Sequence, residues 1–124
     1  MSKKALIIVD HGSKINEANE MLVDIAELIK NKNSSEFEII TYCHMELVEP
    51  TISQAFDDCV SKGANLIVVH PYFLAPGRHS TQDIPRMVKD AAASHPEVSY
   101  IITEPLGIHE KIIDVILERA RVTT

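Results

Sequence analysis

At 124 residues and 45% apolar, the chain has the length and composition for one core, and a single domain over residues 1–124 is expected. Only 5% of residues are aromatic and tryptophan is absent, which argues against stacking platforms for nucleic-acid bases. A formal net charge of −6 argues against a general polyanion-binding surface, so no nucleic-acid partner is expected.

Along the chain, Ala5–Val9 is a continuous apolar run of the kind buried on both faces of a parallel sheet, and predicts the first strand. A helix from about Asn16 to Lys30 follows, with Ala18, Leu22, Ile25, Ala26 and Ile29 on one face. Phe37–Cys43 reads as the second strand. Pro50 then supplies a helix start, and the stripe Ile52, Ala55, Phe56, Cys59 and Val60 ends at Gly63. The third strand, Leu66–Val69, runs on through His70 to an end marked by Pro71, which cannot donate to a central ladder. Asp83 reads as the cap of a helix carrying Ile84, Met87, Val88, Ala91 and Ala92 on one face, stopped by His95-Pro96. Ser99–Thr103 and Ile108–Arg121 give the last strand and helix.

Short loops and strict alternation predict an α/β fold: a four-stranded parallel sheet with right-handed crossovers, in the order 2-1-3-4 of a flavodoxin-like half-unit. No run approaches the ~18 apolar residues of a membrane span, so no membrane association is expected. Met-Ser-Lys-Lys leads straight into the first strand, which implies a soluble cytoplasmic protein, or an organelle-stroma protein if a transit peptide was removed. Cys43 and Cys59 lack C-x-x-C spacing and read as free, buried thiols in a reducing compartment.

In this strand order the first and third strands are central neighbours, and the chain leaves them in opposite directions. That topological switch point is where open α/β sheets bind ligands. His11, in Val-Asp-His-Gly-Ser, and His79, in Ala-Pro-Gly-Arg-His-Ser, both fall there, although 68 residues apart. The loop His44–Pro50 brings Glu46 and Glu49 to the same edge. Glu49 precedes the helix start at Pro50 and reads as structural, whereas Glu46 has no such duty. Imidazole suits Zn, Fe, Co, Ni and Cu ions, so two histidines and a carboxylate would hold a divalent transition metal loosely and leave coordination positions open. His44 is near the crevice but could equally cap or line the loop. His70 reads as a satisfied core histidine, His95 as a surface residue at a helix end, and His109 as the start of the last helix.

Four segments carry a resemblance across nearly the whole chain: Ile7–Ser13, His44–Pro50, Phe73–His79 with Gln82–Pro85, and Pro105–Gly107. They resemble the short sirohydrochlorin chelatases, most of all the sirohydrochlorin ferrochelatase branch that makes sirohaem. The resemblance implies a chelatase-type fold, a lyase that inserts Fe2+ (or Co2+ or Ni2+) into sirohydrochlorin, and no permanently bound cofactor. It puts the metal-site histidines on His11 and His79 and the acidic partner on Glu46, with Glu49 as the alternative. It also implies a homodimer, since longer relatives fuse two such domains.

A carboxylate-rich macrocycle must be met by local cations: Lys14 after the His11 turn, Arg78 before His79, and Arg86 and Lys89 just beyond. Ser13 and Gly77 are expected to admit the substrate closely. Histidine phosphatases also place a His-Gly pair after the first strand, but they need an arginine before the histidine, where this chain has Asp10. A carrier that binds metal or tetrapyrrole without turnover would use the same histidines, and remains the non-catalytic alternative.

Overall fold

The computed structural model describes residues 3–32 and 36–121; Met1, Ser2 and Thr124 lie outside them. The strands are β1 (Lys4–Asp10), β2 (Ile39–His44), β3 (Leu66–Pro71) and β4 (Ser99–Ile102), all parallel and in the order β2-β1-β3-β4. The helices are α1 (Asn16–Lys32), α2 (Ile52–Ser61), α3 (Ile84–Ala92) and α4 (Glu110–Ala120). The predicted fold class and strand order are those observed. The β3 strand does end at Pro71.

The sheet separates two apolar layers. Ala5, Ile7 and Val9 of β1 and Ile67 and Val69 of β3 meet Ile52, Ala55, Phe56 and Cys59 of α2 and Ile84, Val88 and Ala91 of α3. On the other face Ile8 packs with Leu22 and Ala26 of α1. Alternating burial of strand side chains thus fixes which helix lies on which face. Cys43 and Cys59 are free and buried in the first layer, as expected. Burial is the main force raising both thiols, that of Cys59 to about 12.

Several predicted starts and stops move. The β2 strand begins at Ile39 rather than Phe37, because its register with β1 starts at Ile39 opposite Ala5. Glu38 instead joins Lys4, accepting from the Lys4 N–H on its carboxylate at 2.9 Å. Pro50 is not the first residue of α2. Thr51 is the N-cap, its hydroxyl accepting from the Gln54 N–H at 3.1 Å while Gln54 Oε1 accepts from the Thr51 N–H at 2.8 Å. This reciprocal capping box satisfies two donors that Pro50 could not.

Asp83 is not a cap either: it has helical φ and ψ, and its side chain makes no capping bond. The helical path begins earlier, in a π-helical turn over His79–Asp83 that runs directly into α3, with the Ile84 N–H donating to the His79 carbonyl. Pro85, next in line, has no N–H to give to an ordinary α-helical bond, so a widened turn here costs less than it would elsewhere.

The α4 helix departs from the others. It buries none of its residues, leaving Ile113, Val115, Ile116 and Leu117 about half exposed, with Ile101 of β4 in the same condition. His109 caps it, its Nδ1 accepting from the Lys111 N–H at 3.1 Å.

Candidate metal site at the carboxyl edge of the sheet

Pairing between β1 and β2 does not stop where the strands do. The Met45 N–H donates to the Asp10 carbonyl at 2.9 Å and the Glu46 N–H to the His11 carbonyl at 3.1 Å. This short ladder lays Met45-Glu46 along His11-Gly12. It requires glycine at position 12: φ is +95°, and a Cβ there would stand 2.0 Å from the Glu46 carbonyl oxygen. Leu47, with φ of 76°, turns the chain away immediately afterwards.

The ladder sets two side chains face to face. His11 Nε2 lies 2.9 Å from Glu46 Oε1. His79 arrives from the far side, its ring 4.7 Å from the His11 ring, centroid to centroid, at an interplanar angle of 59°. The side chains of His11, Glu46 and His79 are 40%, 52% and 49% exposed, so the cluster is open to a ligand. Among the described residues no group of three or more His, Cys, Asp or Glu side chains is set to hold a metal ion; the three gather without closing around one.

Tautomers follow from the partners. His11 Nδ1 is 3.2 Å from the Gly12 carbonyl, which can only accept, so Nδ1 carries the hydrogen. His79 Nδ1 is 2.9 Å from Asp83 Oδ2, an ionised acceptor, with the same result. In both neutral rings the lone pair is therefore on Nε2. At His11 that lone pair faces a carboxylate, an arrangement that calls for a proton or a cation.

Other predicted residues take different places. Glu49 is engaged by Gln54, whose Nε2 donates to Glu49 Oε2 at 2.9 Å, so the capping structure of α2 holds it. Ser13, expected to admit the substrate closely, has its N–H already given to Asn19 Oδ1 at 2.9 Å, and Asn19 Nδ2 returns a bond to the Ser13 carbonyl. Gly77 has open space where a Cβ would go, and its carbonyl accepts from Thr81 at the start of the π turn. Lys14, Arg78, Arg86 and Lys89 are all exposed, and Arg86 reaches toward Asp83 at 3.5 Å.

The remaining histidines are structural in their contacts. His70 Nδ1 meets Thr103 Oγ1 at 2.8 Å, so it is satisfied as expected, but it is only partly buried and lies outside the core clusters; that partial burial still lowers its pKa. His95 is not a free surface residue: its ring stacks on Phe56 at 6.0 Å and its Nε2 lies 2.7 Å from Asp57 Oδ1. His44 is 2% exposed, with Nδ1 2.6 Å from Asp10 Oδ1. Sequence reasoning missed both Asp83 and Asp10 as histidine partners. The helical spacing of His79 and Asp83 was a usable signal; Asp10 and His44 become visible as a pair only once the β1–β2 register is known.

Comparison with known proteins shows the family. The CbiX family model matches residues 5–123. The chain belongs to the CbiX family. Among CbiX-type relatives, the chloroplastic sirohydrochlorin ferrochelatase of Arabidopsis thaliana is 46% identical over 92% of this chain, which spans about half of that protein's length. The sirohydrochlorin cobaltochelatase of Methanocaldococcus jannaschii is 36% identical, with 94% of this chain and 97% of the relative aligned. The crystal structure of the sirohydrochlorin chelatase SirB from Bacillus subtilis subspecies spizizenii in complex with cobalt superposes with a TM-score of 0.88 at 32% identity, covering 94% of this chain and 49% of SirB. The CbiX chain thus has the fold of one half of the longer chelatases and nearly the full length of a short one.

Proposed function

We propose that this chain is a sirohydrochlorin chelatase that inserts a divalent metal, Fe2+ first, to give sirohaem. The observation that carries the reading is the 2.9 Å approach of His11 Nε2 to Glu46 Oε1 beside the His79 ring. A metal bonded at about 2.1 Å to both atoms would see them about 90° apart, the angle of neighbouring positions in a five- or six-coordinate shell. The His79 ring, 4.7 Å from that of His11, would have to turn its Nε2 inward to become a third donor, and the exposed side leaves positions for water and then for pyrrole nitrogens.

Metal insertion requires an ion to shed ligands stepwise and two pyrrole N–H protons to leave. Few protein ligands make the ion easy to release, whereas a closed four-ligand site retains it. As pyrrole nitrogens take the ion, the freed Nε2 atoms of His11 and His79 each accept one of the two protons, and Glu46 stabilises the imidazolium at His11. Arg78, Lys14 and Arg86 are the proposed partners of the macrocycle's carboxylates, with Gly77 giving backbone access and Ser13 shaping the His11 turn. The preference for iron follows the ferrochelatase relative; cobalt or nickel is the alternative, because the donor set does not discriminate among these ions.

We further propose that the active unit is a homodimer. The uncovered apolar face of α4 and Ile101 supplies contact surface for a second copy. The proposed compartment is a reducing one, cytoplasm or organelle stroma, consistent with two free buried thiols. Among the described residues no helix is long and apolar enough to cross a membrane.

The test follows absorption as sirohydrochlorin and Fe2+, Co2+ or Ni2+ are mixed with the protein, against the uncatalysed rate. Rate enhancement lost in His11→Ala and in His79→Ala supports the reading. Binding of metal and tetrapyrrole with no enhancement for any ion would make the chain a carrier instead, and full enhancement in both variants would move the site elsewhere.

A further inference from the structure

We propose that Asp10 and His44 form a positioning pair that holds the His11 and Glu46 donors in register; the proposal rests on the metal-site reading above. Among the described residues His44 is the buried polar side chain, 2% exposed, and its neighbours Cys43 and Met45 are buried and apolar. An imidazole in such a place costs free energy unless it is well partnered, and an apolar side chain would fill the space more cheaply. Its partner is Asp10, with Nδ1 to Oδ1 at 2.6 Å, a short hydrogen bond between the ring and the carboxyl group.

The position of the pair gives it a use. Asp10 and His44 are register partners at the last rung of the β1–β2 ladder. His11 is one residue beyond Asp10, and Glu46 two beyond His44. The two backbone bonds that continue the ladder, Met45 to Asp10 and Glu46 to His11, begin at this rung. Slippage by a single residue would displace Glu46 from His11 by about 3.3 Å, more than the whole contact between them. A side-chain tie across the rung opposes that slippage where regular pairing ends and two exposed loops begin. Asp10 Oδ1 is committed to His44, so through this contact Asp10 acts on its neighbours.

The experiment uses the full chain and Co2+ alone as the probe, followed by its visible absorption, together with the thermal midpoint of each variant. His44→Leu fills the buried space and removes the tie; His44→Asn keeps a donor near the Nδ1 position. Asp10→Ala and Asp10→Asn do the same from the other side. The expected result is Co2+ affinity lower by about tenfold or more in His44→Leu and Asp10→Ala, with His44→Leu at least as heat-stable as the parent. Recovery to within about threefold is expected in His44→Asn and Asp10→Asn. Parental Co2+ affinity in a folded His44→Leu, with binding lost in His11→Ala, would overturn the positioning role and leave the metal site standing. Equal losses in His44→Leu and His44→Asn would also overturn it. Undiminished Co2+ binding in His11→Ala would overturn the metal-site reading, and this inference with it.

Discussion

His79 and Asp83 face each other across one widened helical turn, Nδ1 to Oδ2 at 2.9 Å, and that contact decides which nitrogen of His79 is left for a ligand. Removal of the carboxylate in Asp83→Ala frees the ring to rotate and to exchange tautomers. Metal affinity is expected to fall 10- to 100-fold, the usual cost of losing such a partner. Co2+ titration checks it, and Asp83→Asn, which still accepts from Nδ1–H, should lose less.

Gly12→Ala tests the close approach of the two loops. A left-handed φ alone costs an alanine roughly 1–2 kcal/mol, and its methyl group would meet the Glu46 carbonyl at 2.0 Å. The expected outcome is a fall in unfolding free energy beyond that cost, together with loss of chelatase activity as Glu46 is pushed off His11. Denaturant titration gives the first and the insertion assay the second.

His70 gives a pH dependence with a definite sign. Burial lowers its folded-state pKa below 6.5, its ordinary value, outweighing the backbone hydrogen bond with Glu104 that raises it. The unfolded chain therefore binds the proton more readily. The stability His70 contributes is complete above pH 6.5 and is lost as the pH falls toward the folded pKa. Thermal midpoints measured from pH 7 downward should decline, and His70→Asn should flatten that decline.

Ile116→Glu addresses the α4 face. Ile116 is 54% exposed in the single chain, so the fold should tolerate the change with a midpoint close to that of the parent. A dimer using this face would lose apolar contact and gain paired like charges. Light scattering at micromolar concentration should then read a monomer, whereas an unchanged dimer would place the interface elsewhere.

Thr51→Ala removes half of the capping box at the start of α2. A loss of about 1 kcal/mol is expected in denaturant unfolding, the usual worth of an N-cap side chain.

The strands and their order were legible because uninterrupted runs such as Ala5–Val9 and Leu66–Val69 tolerate few placements other than the centre of a parallel sheet. The switch point followed from the order, and at it His11 Nε2 lies 2.9 Å from Glu46 and the His11 ring 4.7 Å from that of His79. Helix starts were harder. Pro50 and Asp83 each have a residue type that favours a start, but the choice at Pro50 lay with the Thr51–Gln54 pair, and Asp83 was drawn to His79 and Arg86. Identity of residue type cannot reveal which of several partners a side chain will take. His95 shows the same limit, its stacking on Phe56 depending on how α2 and the end of α3 approach. The bare face of α4 was hidden for another reason: an amphipathic pattern says that a helix has a face to cover, not what covers it.

A protein proposed to hand over transition metals also holds two thiols, and their chemistry matters for the cargo. Iron and cobalt bind thiolate far better than thiol, and an ionised thiol in the same protein would compete for an ion meant for the macrocycle. With the Cys59 thiol pushed up to about 12, roughly one copy in 10^5 is ionised there at pH 7. Cys43, one residue from His44, is raised by its burial and further by the Asp10 carboxylate. The packing that makes these residues good core material thus keeps both sulfurs as thiols and poor competitors for the ion.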